Sequence, residues 1–343
     1  MKTQQKTSEI LSQRLATEQA ITLVKSTFEN DLKEKLGLHK ISAPMIVLKG
    51  EGINDDLSGT ERAVEFPLKG MAERRAEVVQ SLAKWKRIQL KTYDFRSGTG
   101  ILTDMKALRA DEEFTSIHSV FVDQWDWELA IDPDQRNLCF LKETVRKIYS
   151  AIVATERSVA ENFPEKYAIL PDEIKFIHAE VLLKMFPGLS AKEREHSAAR
   201  EFGAVFIIGI GGVLSSGESH DQRAPDYDDW SSPGEEGYFG LNGDIILWNP
   251  VLEQAFEISS MGIRVDADSL EKQLEITGQQ SRKELLYHRT LLAGQLGDSI
   301  GGGIGQSRLC MFLLKKQHIG EVQVSIWPEH VIGNCRSNGI TLL

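Results

Sequence analysis

The sequence predicts a single domain of the mixed α/β (α+β) class, in which helices flank a largely antiparallel β-sheet. Two pairs of β-rich segments are each joined by a short connection: residues 101–108 with 118–127, and residues 242–248 with 253–258. Short connections are typical of antiparallel strands, because parallel strands need a long crossover. Strands and helices mingle along all 343 residues without a linker, repeat or low-complexity tract, which favours one domain over residues 1–343.

Helices are predicted where apolar residues recur at three- and four-residue spacing. The first covers residues 15–36 and stops before Gly37. Residues 1–20 are expected to form a mobile or helical N-terminal extension. Further helices are predicted over residues 138–163, within 187–201 and over 309–314, and residues 80–86 are helix-prone.

Four other segments are predicted from composition. Residues 41–48 are apolar and β-rich, residues 50–56 form a loop, and residues 204–208 form a short buried strand. Residues 215–240 are rich in Ser, Gly, Asp and Pro, and loops of that length are usually functional or mobile.

The charge and cysteine content argue against several classes of protein. A net charge of −10 disfavours a protein that grips a phosphate backbone, so no nucleic-acid partner is expected. The three cysteines lie far apart without a CxxC pair, which favours a reducing compartment. The polar start lacks the apolar core of a signal peptide, and no apolar run reaches the ~18–20 residues that span a bilayer. A cytoplasmic protein without a membrane partner is expected.

Several common catalytic motifs are rejected on their spacing. A phosphate-binding P-loop would have Lys-Ser or Lys-Thr where Gln306 and Ser307 stand. A dinucleotide fingerprint starting at Gly209 would need its third glycine at Leu214. No histidine pair has helical metal-binding spacing, which argues against zinc, and no G-x-S-x-G marks a serine nucleophile.

A first candidate for ligand binding is the G-x-G-x-x-R stretch formed by Gly303, Gly305 and Arg308 ahead of an apolar helix. Glycines before a helix let a ligand approach the backbone, and the helix start offers free N–H donors to an anion. The arginine adds a planar fork of donors that suits phosphate. A purely structural turn before a core helix is an equally good interpretation of this stretch alone.

A second candidate lies in the strand over residues 119–127. Side chains alternate along a strand, so Gln124 and Asp126 share one face, while Trp125 and Trp127 point to the other. An amide and a carboxylate on one face can hold an ammonium group between them. A half-exposed strand with a solvated polar end is the alternative.

The predicted hairpin over residues 242–258 supplies two acids. If Trp248 faces Glu253 across a four-residue loop, Asp244 lies opposite Glu257. Facing carboxylates repel each other unless a cation lies between them. Magnesium prefers carboxylate oxygens, with waters and phosphates completing its shell. The pair is therefore a candidate magnesium site, and two solvent-facing acids are the alternative.

Other polar residues would complete such a site. Arg109 ends the first mid-chain strand, and together with Arg308 beside a magnesium ion it would clamp a nucleotide phosphate. By itself it is more simply a surface arginine at a strand end. The helix-prone segment and the long loop add Ser81, Lys84, Lys86, Arg223, Asp226, Asp228 and Asp229. The alternatives for these two segments are a solvated helix face and a polar surface lid.

Taken in order, these pieces resemble the catalytic domain of class II aminoacyl-tRNA synthetases. The second motif of those enzymes is an arginine, an acidic loop and a returning strand, matched by Arg109, Asp111-Glu112 and residues 118–127. The third motif, G-x-G-x-x-R opening a helix, is matched by residues 303–308.

From about residue 20 to about Trp327 the sequence is more closely similar to the asparagine synthetase A family, the ammonia-dependent aspartate–ammonia ligases. The similarity is carried by residues 81–87, 118–127, 223–230 and 259–266. It implies a class II synthetase-like antiparallel sheet and a homodimer. It also implies synthesis of L-asparagine from L-aspartate and ammonia. ATP and Mg²⁺ would form β-aspartyl-AMP with release of pyrophosphate, and ammonia would then displace AMP.

The resemblance also implies how ATP is held. Positive charge must meet the triphosphate, and Arg109 and Arg308 would hold its α- and γ-phosphates. Asp244 and Glu257 would hold magnesium. The other residues implied for ATP are His118, Gly303 and Gly305.

For the amino acid, the resemblance implies Gln124 and Asp126 around the α-ammonium group, with Ser81 alongside. Lys86 and Arg223 would orient the β-carboxylate for in-line attack.

For the nitrogen donor, the resemblance places Asp55 near the amide group, with Asp228 close by. One of them would accept a proton from ammonium, whose pKa of roughly 9 leaves little free ammonia at neutral pH. Ser260 is a further residue implied for substrate binding. No glutaminase domain with an N-terminal catalytic cysteine is apparent, so free ammonia is the expected nitrogen source.

Two alternatives remain. An aspartyl- or asparaginyl-tRNA synthetase should carry an extra basic anticodon-binding domain, which the net charge of −10 disfavours. A non-catalytic relative would generally have lost the phosphate arginines or the metal acids, and all of them are present in this sequence.

Overall fold

Two β-sheets organise the chain in a computed structural model that describes residues 2–55, 57 and 61–343. The strands in chain order are β1 (Leu38–Lys40), β2 (Ile46–Leu48), β3 (Glu65–Leu68), β4 (Met71–Val78), β5 (Gly100–Leu108), β6 (Phe121–Ala130), β7 (Lys175–His178), β8 (Ala204–Ile208), β9 (Asn242–Asn249), β10 (Gln254–Ile263) and β11 (Ser299–Gly305). The larger sheet has the order β1-β5-β6-β11-β10-β9-β8-β7, and the smaller one has the order β2-β4-β3.

The six central strands of the larger sheet, from β5 to β8 in spatial order, all pair antiparallel. At the two edges, β1 runs parallel to β5 and β7 runs parallel to β8. The predicted antiparallel sheet flanked by helices is therefore confirmed, with one parallel strand added at each edge. Those edge strands have only three and four residues, too few for a recognisable alternation. Within the β-rich residues 41–48, only β2 is a strand.

Helices cover both faces of the larger sheet. They are α1 (Lys2–Leu36), α2 (Ala83–Thr92), α3 (Leu138–Asn162), α4 (Ala179–Met185), α5 (Ala191–Phe202), α6 (Ala267–Ile276), α7 (Leu286–Leu292), α8 (Gln306–Leu313) and α9 (Glu329–Ser337). The first helix begins well before residue 15, where its start was predicted. The prediction began there because the earlier turns are polar and show no apolar period. In the described part of the chain, the helices all fall short of the length and apolar character needed to cross a membrane.

The main hydrophobic core lies on the face of the sheet that α1, α3 and α8 cover. Phe28 of α1 packs on Trp125 of β6, with ring centroids 4.7 Å apart, and Trp127 is fully buried in the same cluster. Because side chains alternate along a strand, Gln124 and Asp126 are left on the opposite face. That face carries the polar cavity described below.

The hairpin of β9 and β10 differs from the predicted register. Trp248 faces Ala255, and Asp244 faces Ser260 rather than Glu257. The loop between the two strands starts one residue later than predicted and ends one residue later as well. Glu253, which was predicted to begin the second strand, belongs to the loop and has a left-handed conformation with φ 51°. A β-bulge between Glu257 and Ser259 then shifts the pairing again. Neither feature has a signature in this sequence.

Substitution of Phe28 tests the packing of the first helix on the sheet. Phe28→Ala should lower the free energy of unfolding by about 3–5 kcal/mol, because the ring is fully buried against Trp125. Leu15→Ala on the same helix is the control, since Leu15 is 56% exposed and its loss should cost at most about 0.5 kcal/mol. Urea unfolding measures both, and equal effects of the two substitutions would contradict the packing of α1.

Candidate active site

A polar cavity of about 430 Å³ opens on the face of the sheet opposite the main core. It is lined by residues from α2, β6, β10 and β11 and from the loops before β3 and β9. The structure brings into this cavity Asp55, Ser81, Lys86, Arg109, His118, Gln124, Asp126, Arg223, Asp228, Glu257, Ser260, Gly303, Gly305 and Arg308. Asp244 does not line it but binds Arg223, which does. The residues implied for ATP, the amino acid and ammonia therefore share one place in the fold, whereas Lys84, Asp226 and Asp229 do not line the cavity.

The glycine-rich stretch forms the floor of the cavity as strand β11, not the turn that was predicted. A Cβ atom on Gly303 would overlap the amide of Gln124, and one on Gly301 would overlap the carboxylate of Glu128. Glycine is required here by these close neighbours, because the backbone itself is extended. At the start of the following helix, Ser307 N–H donates to Asp123 Oδ1 at 3.0 Å, so this one donor already has a protein carboxylate as its partner.

Two arginines approach the cavity from different elements and are loosely held. Arg109 directly follows β5, and its Nη1 lies 3.9 Å from Glu112 Oε2. Arg308, in the first turn of α8, donates from Nη1 to the carbonyl of Glu257 at 3.2 Å. Each side chain is 23% exposed. Both guanidinium groups can therefore turn toward an anion without first breaking a strong buried ion pair.

His118 lies in the cavity close to these arginines. Burial, together with the charges of Arg308 and Arg109, lowers the pKa of His118 to about 4. Its Nδ1 is 2.9 Å from Thr115 Oγ1. The ring is consequently neutral at neutral pH, and it can form hydrogen bonds in the cavity without adding charge.

The two acids predicted to bind magnesium differ in their surroundings. Asp244 accepts a hydrogen bond from Arg223 Nη2 at 2.6 Å, and Arg223 Nη1 also donates to Ser260. Burial raises the pKa of Asp244 to about 6, and the negative charge of Glu257 acts in the same direction against the pull of Arg223. Glu257 is partly exposed, at 42% of its side chain. Although Asp244 does not face Glu257 in the hairpin, the two carboxylates still interact.

These two carboxylates fit a magnesium ion by the chemistry of their oxygens. Mg²⁺ takes one or two carboxylates and keeps waters or phosphate oxygens for its remaining positions. A group of three or more metal-binding side chains is not found among the described residues. Protein ligands alone therefore do not make a closed metal site here, and Asp244 and Glu257 are suited to a metal that arrives with a phosphate.

The cavity wall contains a buried ion network made of Lys86, Asp126, Glu128, Arg264 and Asp228, all of which except Glu128 line the cavity. Lys86 Nζ donates to Asp126 and to the carbonyls of Trp127 at 2.9 Å and Gly302 at 3.0 Å. Arg264 binds Glu128 through Nε at 3.0 Å and Nη2 at 2.8 Å, and it also binds Asp228. The solvated helix face weighed for Lys86 is wrong, because its side chain is only 1% exposed.

Burial shifts the charges of this network. It lowers the pKa of Lys86 and raises that of Asp126, although each partner opposes the shift of the other. The second oxygen of Asp126 is buried without a hydrogen-bond partner among the described residues. That oxygen is free to accept from a cation in the cavity, as the sequence predicted for Asp126, whereas Lys86 is bound to the protein's own acid.

Two network members, Glu128 and Arg264, were not predicted as site residues. Glu128 follows Gln124 and Asp126 at the same two-residue spacing, so extending the alternation by one step would have found it. Arg264 is 136 residues away from its partner Glu128 in the chain, and no local pattern indicates that pairing.

The loop with Asp55 reaches the cavity from the side of α2. Asp55 is 2% exposed, accepts from Leu57 N–H at 3.3 Å, and lies 4.0 Å from Lys84 Nζ. Ser81 Oγ accepts a hydrogen bond from the N–H of Ala83, the first residue of α2, at 3.2 Å. Asp56, the last residue of the predicted loop 50–56, lies outside the described residues.

Comparisons with known proteins agree on a family. The family model for aspartate–ammonia ligases matches residues 15–339, which extends beyond the range of about 20 to 327 expected from the sequence. The aspartate–ammonia ligase of Parabacteroides distasonis is 54% identical over 327 residues, covering 95% of each chain. That of Clostridium perfringens strain SM101 is 53% identical over 327 residues, again covering 95% of each.

Solved structures agree on the fold. The chain superimposes on the asparaginyl-tRNA synthetase of Pyrococcus horikoshii complexed with asparaginyl-adenylate with a TM-score of 0.68 and 16% identity, covering 91% of this chain and 70% of that one. The corresponding complex from Entamoeba histolytica gives a TM-score of 0.66 and 15% identity, covering 91% and 66%. The chain thus spans about two thirds of the length of these synthetases, and it shares their class II fold.

The energetic importance of the buried ion network can be measured at Glu128. Glu128→Gln should lower the free energy of unfolding by about 3–5 kcal/mol, because it leaves buried positive charge on Arg264 and Lys86 less compensated. Glu235→Gln is the control, since the Glu235 side chain is 55% exposed and its pair with Lys142 contributes at most about 1 kcal/mol. Urea titration of both variants decides the matter, and a loss at Glu128 as small as at Glu235 would refute the importance of the network.

Proposed function

Because the chain belongs to the aspartate–ammonia ligase family, we propose that it makes asparagine at the expense of ATP through a β-aspartyl-AMP intermediate. The family assignment makes the protein an enzyme that joins aspartate and ammonia. The adenylate route goes beyond the family assignment and is proposed here. The observation that carries it is the convergence of Arg109, Arg308 and Glu257 on one cavity, with Asp244 bound to Arg223 of the cavity wall.

Chemistry requires an activated carboxylate. The β-carboxylate of aspartate is a poor acyl donor, since oxide or hydroxide is a bad leaving group. An oxygen of that carboxylate would attack the α-phosphorus of ATP, forming the mixed anhydride and releasing pyrophosphate. Two anions must approach each other in this step, and fixed positive charge in the cavity lowers that barrier. Arg109 would meet the α-phosphate and Arg308 the γ-phosphate.

A magnesium ion held by Asp244 and Glu257 would supply further positive charge to the phosphate oxygens. The mutual repulsion of these two carboxylates, which contributes to the raised pKa of Asp244, is what such an ion would relieve. Neutral His118, together with Gly303 and Gly305 on the cavity floor, would complete the surface for the nucleotide.

The aspartate substrate fits the polar floor of the same cavity. Gln124 and the unpartnered oxygen of Asp126 would accept the α-ammonium group, with Ser81 alongside. Arg223 and Lys86 would orient the β-carboxylate. Both cations are held by protein acids in the structure, so we expect the incoming carboxylate to share them with Asp244 and Asp126.

Ammonia would react in the part of the cavity near Asp55, Asp228 and Ser260. Asp55 is the best placed general base for ammonium, because it lines the cavity and is shielded from solvent. Asp228 is already bound by Arg264, which makes it the poorer base of the two.

The remaining features are proposed from the family resemblance and the composition. They are a homodimer, a cytoplasmic location and the absence of a nucleic-acid partner, the last supported by the net charge of −10. The alternative of a tRNA synthetase rests on a fold likeness at 15–16% identity, whereas the relatives at 53–54% identity are named as ligases.

The reaction products test the proposal directly. The protein incubated with aspartate, ATP, Mg²⁺ and ammonium should form asparagine, AMP and pyrophosphate in equal amounts. Chromatography of the nucleotides distinguishes AMP from ADP, and ADP as the product would replace the adenylate with an acyl phosphate. Aspartyl-tRNA formation in a parallel charging assay would support the synthetase alternative instead.

The arginine clamp is tested by substitution. Arg109→Ala should slow aspartate-dependent exchange of pyrophosphate into ATP by about 10²–10³-fold, because it removes a donor to the charge that develops on the α-phosphate. Arg96→Ala is the matched control, as Arg96 is an exposed arginine that does not line the cavity. Exchange that survives Arg109→Ala unchanged would remove Arg109 from the clamp.

A further inference from the structure

A second group of buried charges lies behind the cavity, around Asp226. This side chain is fully buried in the loop before β9. Its Oδ2 is 3.1 Å from Lys84 Nζ of α2, 2.9 Å from Arg282 Nη1 and 2.9 Å from His288 Nε2 of α7. Burial alone would raise the pKa of Asp226, but these three groups hold it well below its usual range. Asp226 is consequently a fixed negative charge, anchored from three elements.

The same lysine links this group to the cavity. Lys84 Nζ lies 4.0 Å from Asp55 Oδ1, and its side chain is 2% exposed. Asp55 lines the cavity, whereas Lys84, Asp226 and His288 do not. Lys84 therefore lies outside the cavity lining, and Asp55 is the cavity residue to which its ammonium group is close.

We propose that Lys84, held in place by Asp226, is a positioning residue for the amination step, directing the Asp55 carboxylate into the cavity. This inference rests on the proposed role of Asp55 as the base for ammonium. It assigns a role to Lys84 and Asp226, two residues that have no proposed part in binding the phosphates or the aspartate.

The distances show how Lys84 is shared between two acids. Its Nζ lies 3.1 Å from Asp226 Oδ2 and 4.0 Å from Asp55 Oδ1. Because Asp226 is also bound by Arg282 and His288, it holds the lysine in place. A fixed cation at 4.0 Å attracts the Asp55 carboxylate and favours one orientation of it.

The step itself balances as follows. Ammonium gives one proton to Asp55, and the lone pair of the resulting ammonia forms a C–N bond to the β-carbonyl carbon of β-aspartyl-AMP. The C–O bond to the phosphate breaks, and AMP leaves with that electron pair. The nitrogen loses its second proton to solvent as the amide forms. No oxidant or further reactant is needed.

The test compares two nitrogen nucleophiles. Ammonium needs a base at neutral pH, whereas hydroxylamine, with a pKa of roughly 6, is already neutral. Lys84→Met and Asp226→Asn should each reduce asparagine formation from ammonium chloride by about tenfold or more. Aspartyl hydroxamate formation from hydroxylamine and pyrophosphate exchange should stay within about threefold of wild type. Asp55→Asn should give the same pattern.

The control is Lys91→Met, which removes a lysine from the exposed face of the same helix and should leave all three activities unchanged. The loss at Lys84→Met should appear in kcat with ammonium rather than in the KM for ATP or aspartate. A merely structural role would lower all three activities together, and that result would overturn the proposal. Full ammonium-dependent activity in Lys84→Met would overturn it as well.

Failure of the proposed function is separately visible. If wild-type protein forms no AMP, the adenylate route itself is wrong. If wild type forms AMP and Asp55→Asn shows the selective loss while Lys84→Met does not, only the role of Lys84 fails. Asp226→Asn keeps the proposal falsifiable if Lys84→Met does not fold, because it retains a side chain of the same shape at the buried position.

Discussion

The cavity depends on one constraint: its buried charges must be neutralised by other protein groups, because water does not reach them. In the buried ion network, Lys86 and Arg264 pair with three carboxylates, and Arg223 Nε lies 3.7 Å from the second oxygen of Asp228. A buried charge without a partner is costly. The second oxygen of Asp126 still lacks a hydrogen-bond partner among the described residues. That oxygen is the one to which we assign the α-ammonium group of the substrate.

The sheet holds this arrangement in place, because one of its faces packs against helices while the other carries the polar residues. On one face Trp125 and Trp127 pack under α1, α3 and α8, while on the other Gln124 and Asp126 meet the cavity. The alternation fixes the polar side chains at the spacing of the strand. Strand β11 can lie against them only because its glycines leave room for the amide of Gln124 and the carboxylate of Glu128. Packing on one side thus positions charge on the other.

Much of this could be predicted from residue patterns, but contacts distant in sequence could not. Strand alternation placed Gln124 and Asp126 correctly, and the short connections indicated antiparallel pairing. The hairpin register failed because a left-handed Glu253 and a β-bulge each shift it, and the sequence does not mark either one. The glycines of β11 were taken for a turn because the side chains that demand them come from another strand. The solvated helix face given as the alternative for Lys84 was wrong, because its buried partner Asp226 is 142 residues away.

The two halves of the proposed reaction place opposite demands on the protein, and the burial of the residues follows this division. A triphosphate brings its own negative charge, so Arg109 and Arg308 must be accessible and loosely held; both are 23% exposed. Ammonium must lose a proton to a base that is shielded from water; Asp55 and Lys84 are each about 2% exposed. Partly exposed, weakly paired arginines and buried, paired charges are therefore two solutions to one electrostatic problem. Adenylation draws on the first and amination on the second, so substitutions that disturb one step need not disturb the other.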